Sequence, residues 1–525
     1  MNKNQNIQKI PLPCGGGLGV GKTQNIKQGY RQSEIGILPQ DWEVVRLGEV
    51  CEFLKTYQNA RSDLNDNDEI NYIHYGEIHT KYEHFIDFAK AKLPKINAKK
   101  LAKELQSITF CQNGDLVVVD ASEDYTAIAK SVEIQNLDSR AVAGLHTFLL
   151  RDKANFFANG FKGYMLYNSE VYSELKRLAT GISVLSVSKT NLSNLQIPLP
   201  PLKEQEKIAR ILGAWDNAIA TLDSLIKAKQ RYKKALMQRL LTPPCESKTD
   251  KSPLPCGGDL GVGKIAQDKT KAVLDSFDMT HPLAPSAREG EIENGDSARE
   301  GESLDCHEST TFDKIADFRN GESLRFGGFS DKWQEFRLGD ICIYENGGAF
   351  EKYVSENGNL KLITLDSISL QGKLKDSHKL ISLNTQNTLC QGDIVMILSD
   401  IAHGNFLGLT GIIPNNNEYV LNQRVGLLRI KNDNIDSLFL SLFINLNQKY
   451  FKQKGQGSSQ QNLSKKDIEQ FKVFLPTLAE QKKIAQVLSV CDKEIAILDS
   501  KLQCLKTQKR GLMQQLLSGN VRVKC

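Results

Sequence analysis

The chain repeats itself, and that repetition limits its fold more than any other feature. The run LPPLKEQEKIARILGAWDNAIATLDS (Leu199 to Ser224) returns as LPTLAEQKKIAQVLSVCDKEIAILDS (Leu475 to Ser500). The match continues through LMQRLL (Leu236 to Leu241) and LMQQLL (Leu512 to Leu517). Across Leu199–Leu241, 21 of 43 positions are identical. A second pair of segments opens the halves: DWEVVRLGEV from Asp41 and KWQEFRLGDI from Lys332. Between these anchors only pattern is shared. NGDLVVV (Asn113 to Val119) and QGDIVMI (Gln391 to Ile397) each read as a turn followed by a buried strand. TGISVLSVSKTNLSNLQIPLP and GQGSSQQNLSKKDIEQFKVFLP each end a half with a small polar loop ahead of proline. Each half is therefore a variable globular module of roughly 150 residues followed by a shared segment.

The shared segment reads as a long helix. Lys203 to Leu241 contains no proline and one glycine. Its apolar residues Ile208, Leu212, Trp215, Ile219, Leu222, Ile226, Leu236 and Leu240 fall at coiled-coil spacing. The second copy supplies Ile484, Leu488, Cys491, Ile495, Leu498, Leu502, Leu505, Leu512 and Leu516. Lys229, Lys233 and Lys509 interrupt these stripes, as register-setting polar residues do. A rod of roughly 58 Å, at 1.5 Å per residue, needs a partner to cover it. The other copy is the obvious one, although two separate helices packed on their own modules fit the same spacing. The expected fold is α+β: two similar mixed α/β modules separated by an antiparallel coiled coil, plus a flexible connector. The expected boundaries are a tail over 1–28, modules over 29–200 and 325–476, helices over 201–242 and 477–518, and a low-complexity connector over 243–324.

One string argues for a different protein. GGGLGVGKT, Gly15 to Thr23, contains the G-x-x-x-x-G-K-[ST] pattern of a phosphate-binding loop. No β-branched strand precedes it and no apolar helix follows. Its near copy, PLPCGGDLGVGK (Pro253 to Lys264), ends in Ile265, where a magnesium-binding hydroxyl belongs. Both copies lie in low-apolar flanks, the second beside the repeated SAREGE and GESL strings. We read the motif as a decoy.

Cys245 to Arg325 carries seventeen acidic and ten basic residues, so the rest of the chain holds a net charge of +12. A basic body beside an acidic connector suits a polyanion-binding surface. No apolar run approaches the ~20 residues that span a membrane. The eleven cysteines form no C-x-x-C pair, and the N-terminus lacks a signal sequence. Reduced thiols and a cytoplasmic location are expected. We find no H-E-x-x-H, no G-x-S-x-G and no metal-spaced carboxylate cluster, so neither a catalytic nor a metal site is expected. His74, His79 and His84 recur every five residues, a spacing that aligns on neither helix nor strand, and read as surface or groove residues.

Two related but divergent modules on a rod of fixed length can measure a distance along a duplex, which repeats every ~34–36 Å. Here the residues carry a family resemblance. DWEVVRLGEV, IPLPPLKEQEKIARIL and LMQRLL, with their second copies, resemble the specificity subunit of type I restriction–modification enzymes over roughly 30–242 and 325–518. The resemblance implies two target-recognition domains, each reading one half of a bipartite asymmetric site in double-stranded DNA. It implies helices that set the gap and dock two methyltransferase subunits, with separate restriction–translocase subunits completing a site-specific deoxyribonuclease and adenine methyltransferase. S-adenosylmethionine, ATP and Mg²⁺ then belong to those partners, and this chain is non-catalytic by itself. The family's connector is shorter than the one here.

Base reading needs Arg, Lys, Asn, Gln, Ser or Thr on exposed loops. In the first module this selects Tyr75, Lys130, His146, Ser186, Ser188 and Lys189. In the second it selects His403, Asn405, Asn422, Gln423, Arg424, Ser458, Ser459, Gln460 and Gln461. Lys454, Lys465 and Lys466 are candidates for phosphate, whereas KAKQRYKK (Lys227 to Lys234) reads as helix solvation. Three other readings remain open: a coiled-coil scaffold for proteins, a DNA-binding protein without restriction partners, and a nucleotide-binding protein using Gly16 to Thr23.

Overall fold

The computed structural model describes residues 26–244 and 324–523, apart from 103, 124–126, 182–183, 376–378, 386, 402–404 and 458–459. The phosphate-loop string, its near copy, most of the tail and connector, and His403, Ser458 and Ser459 lie outside the described residues. The chain divides into two compact units, Met1–Arg231 with Cys491–Cys525, and Tyr232–Val490.

The repeated opening and closing segments explain each other in the first unit. Glu43–Arg46 of DWEVVRLG pairs antiparallel with Gln196–Leu199 of LQIPLP, so the module's two ends close on each other. Gly48 then turns the chain against the neighbouring helix Lys189–Asn194. A Cβ there would sit 2.0 Å from Ser193 Oγ, which explains the glycine in RLG. Inside this closure lies a five-stranded sheet in the order Cys51–Leu54, Thr147–Asp152, Leu116–Val119, Ser131–Gln135, Phe85–Asp87. A three-stranded sheet, Ala141–Ala143, Ile70–Ile73 and Lys95–Ile96, stands beside it. Leu116 to Val119 is fully buried because alternate side chains enter two different cores. Leu116 and Val118 pack with Leu150, Tyr164 and Leu175; Val117 and Val119 pack with Val132, Ile134 and Leu149.

The second unit repeats this plan. Gln334–Arg337 pairs with Lys472–Leu475, and a four-stranded sheet runs Cys342–Asn346, Val425–Ile430, Ile394–Ile397, Thr410–Ile412. Its three-stranded sheet is Lys379–Ile381, Leu360–Ile363 and Tyr419–Leu421. The repeated Gly-Asp ahead of each central strand has one physical cause. Gly114 and Gly392 take φ of +83° and +86°, open to glycine without strain. Asp115 then accepts the Gln112 N–H (2.8 Å) and a two-pronged bond from Arg151 (2.9 and 2.7 Å). Asp393 does the same with Cys390 (2.7 Å) and Arg429 (2.8 and 2.6 Å).

The long helices span Leu202–Leu240 and Leu478–Leu517. Within the first unit they run antiparallel: Asp216 meets Lys509 at 2.5 Å and Lys229 meets Glu494 at 2.6 Å. Of the residues read as the helix interface, Ile208, Leu212, Leu236, Leu240, Ile484, Leu488, Leu502 and Leu516 are buried. Trp215, Ile219, Leu222, Ile495, Leu498 and Leu512 are half-buried. Ile208, Leu212 and Leu516 also join the first module's core, so these positions weld rod to module. Lys509, read as an interruption, is buried at 6% exposure and ties the helices together by charge. Asp216 also accepts the Tyr164 hydroxyl at 2.6 Å.

Each long helix starts in a buried Glu-Gln pair, and the two copies use it alike. Gln205 bonds the carbonyl of Pro200 (2.8 Å) and accepts the Ala158 N–H (2.9 Å); Gln481 bonds Pro476 (2.8 Å) and accepts the Asp436 N–H (2.9 Å). Glu204 receives a fork from Arg522 (both bonds 2.8 Å), and Glu480 one from Arg325 (2.9 and 2.6 Å). The chain enters these arginines through matching bonds. Val521 N–H donates to Gln515 O and Leu324 N–H to Arg239 O, both at 3.1 Å. Arg239 and Gln515 occupy the same place in the repeat, so Leu324 resumes the register of Val521.

Two measurements test this packing. Lys509→Ala strands a part-buried carboxylate and lowers unfolding free energy by about 3 kcal/mol in urea titration. Lys509→Met with Asp216→Leu recovers most of that loss. His84 is the second case. Burial pushes its imidazole down to about 4, Lys509 adding to the effect, while Nδ1 lies 3.2 Å from Gly163 O. The unfolded ring protonates below about pH 6.5 and the folded one only near 4. The stabilising contribution is therefore whole above about 6.5 and declines by about 3 kcal/mol as pH falls to 4. His84→Phe removes that part of the pH slope.

Candidate nucleic-acid interface

In the first module candidate residues converge at one end of the inner strands of the five-stranded sheet, where Leu116–Val119 ends and Thr147–Asp152 begins. Helix Tyr75–Lys81 is capped by His74, whose side chain accepts the Gly76 N–H. The Tyr75 ring stands edge-on to His146 at 5.3 Å and to His79 at 6.2 Å, with His74 at 4.5 Å. His146 Nδ1 lies 3.2 Å from Asp120 Oδ1. Lys130 Nζ donates to the His79 carbonyl at 3.1 Å, and His79 Nε2 lies 3.2 Å from Ala121 O. Beyond Asp120, the short strand Ala121–Ser122 pairs with Leu185–Ser186, and the Val187 N–H bonds Asp120 O at 2.9 Å. This zipper holds Ser186 and Ser188 beside the imidazole cluster. Ser188 caps the following helix by accepting the Asn191 N–H, and Lys189 extends over the Phe53 ring at 5.5 Å.

The electrostatics follow from partial burial. Desolvation raises the Asp120 carboxyl above its usual value, against the opposing pull of His146. Burial lowers Lys130, with Glu83 acting against it. Burial also lowers His74, and the Arg61 charge adds to it. His146 sits at φ +55°, a left-handed conformation uncommon for any residue with a side chain. Backbone outliers of this kind concentrate at working sites.

The second module rebuilds the same edge with other side chains. Ser399–Ile401 pairs with Gln460–Asn462, and Gln460 Nε2 donates to Ser399 Oγ at 2.6 Å. The zipper recurs as Leu463 N–H to Leu398 O at 2.9 Å. Ser464 caps its helix as Ser188 does, and Lys465 lies over the Tyr344 ring at 5.9 Å as Lys189 lies over Phe53. Arg424 and Gln461 stand half-buried at this edge; Gln423 and Asn405 are exposed.

Asn422 behaves differently from its candidate neighbours. It is 3% exposed, and its Nδ2 bonds Glu351 at 3.1 Å. Its backbone N–H meets Ile363 O as that of Gly144 meets Ile73 O, so the two positions are equivalent. A Cβ at Gly144 would lie 2.1 Å from the Tyr72 ring, whereas Leu362 stands in the place of Tyr72. The asparagine thus takes volume that a tyrosine fills in the other module. Lys454 lies over Tyr450 at 5.9 Å, and Lys227 pairs with Asp223 at 2.6 Å.

Asp120, His79 and Glu351 hold candidate residues in place and lie outside the set that residue type selects for base reading. The signal for Asp120 was a charge ending the apolar run LVVV. Glu83, His84 and Asp216 bring ligand-type atoms within 4.8 Å of one another. Asp216 already serves an ammonium and a phenol, so a metal ion there would compete with Lys509.

Comparison with known proteins identifies this architecture. Residues 39–229 and 330–507 match the type I restriction modification DNA specificity domain. The chain is 25% identical over 502 residues to a putative type I restriction enzyme specificity subunit, MjaX, of Methanocaldococcus jannaschii, covering 95% of this chain and 98% of that one. It is 25% identical over 492 residues to the MjaVIII specificity subunit of the same organism, covering 93% and 94%. The crystal structure of a type I S subunit from M. genitalium is similar at a TM-score of 0.45 and 13% identity, over 90% of this chain and 96% of that chain. With both halves of the repeat matched, the chain belongs to the type I restriction–modification DNA specificity family.

Proposed function

We propose that this chain selects the DNA sequence on which a type I restriction–modification complex acts. Each module reads one half of a bipartite, asymmetric site in double-stranded DNA. The observation that supports this reading is a pair of modules sharing one backbone plan while differing at the recognition edge: His146 against Arg424, Ser186 against Asn462. Two unlike readers in one chain require two unlike half-sites, whereas a homodimer would read a palindrome. The antiparallel helices set the gap between half-sites and dock two methyltransferase subunits. S-adenosylmethionine, ATP and Mg²⁺ are held by those subunits and by the restriction–translocase subunits, and this chain contributes no catalytic group. No described helix is long and apolar enough to cross a membrane, in keeping with a cytoplasmic complex acting on chromosomal DNA.

Mapping methylated positions in cells expressing the methyltransferase with and without this protein tests the reading. The expected result is one motif of two short, unlike sequences with a constant gap. Removing matched turns from both long helices shortens that gap or abolishes methylation; an unaltered gap rules out the helices as the spacer. Lys189→Ala and Lys465→Ala remove cations braced on aromatic rings. Each lowers the slope of log affinity against log salt by about one and leaves the motif unchanged.

A further inference from the structure

We propose that one backbone seat, filled by His146 in the first module and Arg424 in the second, carries a base-reading side chain in each half-site. The inference deepens the DNA-specificity reading and rests on it. The two positions are equivalent by their bonding. Asp120 N–H donates to His146 O at 3.1 Å, and Leu398 N–H donates to Arg424 O at 3.0 Å. The next residue in each case opens the strand that pairs with the central one, Thr147 against Val119 and Val425 against Ile397. The zipper bonds Val187 to Asp120 and Leu463 to Leu398 close beside it, both at 2.9 Å.

The side chains at this seat present opposite chemistry. Arg151, Arg429, Arg325 and Arg522 all spend their guanidinium groups on carboxylates. The guanidinium of Arg424 has no hydrogen bond or ion pair to any described residue. A guanidinium fork of donors matches the O6 and N7 acceptors of guanine in the major groove. His146 is fixed instead. Its side chain is 48% exposed, its backbone is left-handed, its ring abuts Tyr75, and its Nδ1 faces the Asp120 carboxylate. A carboxylate accepts only, so in the neutral imidazole it holds the ring proton on Nδ1 and leaves Nε2 as an acceptor. An acceptor takes a proton from the exocyclic amino group of adenine or cytosine. The second half-site therefore carries a guanine at the position this seat reads, and the first carries an amino-bearing base.

The test uses the full chain assembled with its methyltransferase subunits, first on a random duplex library and then by motif mapping. Arg424→Gln is expected to lower guanine discrimination at one base pair of one half by about ten- to a hundredfold, shifting preference toward adenine. Arg424→Lys keeps the charge and retains a weaker guanine preference. His146→Leu is expected to relax a single base pair in the other half, and His146→Gln, which keeps an acceptor, to retain it in part. Co-purification with the methyltransferase and unaltered melting show that each variant is folded; where His146→Leu does not assemble, His146→Gln decides. A two-part wild-type motif that folded variants leave unchanged overturns the seat and spares the specificity reading. So does a change spread over both halves. A wild-type complex that selects no two-part motif overturns the specificity reading itself.

Discussion

A buried carboxylate at the start of each long helix holds this architecture together. Glu204 and Glu480 are each 1% exposed, and a carboxylate that far from water is tolerable only when paired and hydrogen-bonded. Each is met by a guanidinium fork: Glu204 by Arg522, shortly after the second helix, and Glu480 by Arg325, whose neighbour Leu324 bonds the last turn of the first helix. Beside each, a buried glutamine ties the helix to a module loop and to the proline segment before it. The Glu-Gln of KEQEKIA and AEQKKIA is thus a junction where closing ribbon, module and rod meet. Trp42 adds its indole N–H to Glu204 at 2.9 Å, which fixes the opening segment of the first module at the same point.

A junction made this way leaves the module interior free to vary. The Asp–Arg fork under the central strand is present in both halves, while the neighbouring volume is filled differently. Tyr72 against Gly144 in one module answers Leu362 and Asn422 in the other. Glu133, fully buried in the first module, accepts the N–H groups of Gly160 (2.8 Å) and Gly163 (2.9 Å). Close-packed cores accept such swaps when volume and hydrogen bonding are balanced together. The loops beside the central strands can therefore differ between modules without disturbing the frame that holds them.

Much of this was legible in the residues. The duplication, the helices and their apolar stripes rest on local spacing, and local spacing survives folding. The candidate interface is legible only by residue type. Residue type assigns Lys189 to a base and Lys465 to phosphate, yet the fold gives them the same seat on Phe53 and Tyr344. Asn422 was chosen for its amide and is packed inside. Asp120 ends an apolar run and stands at the centre of the first cluster. These differences share a cause: burial and equivalence between modules depend on strand register, which the divergent stretches between the anchors do not reveal.

The amino-acid order alone determined that there are two modules, that each is closed by a repeated segment, and that long amphipathic helices follow them. Periodicity and repetition are properties of the chain itself. Only the tertiary structure decided that Lys509 is a buried tie to Asp216, that the helix ends return arginines to buried glutamates, and that His146 and Arg424 share one seat. The charged pairings join residues far apart in sequence that only packing brings within reach of a hydrogen bond, and the shared seat is set by strand register inside each module.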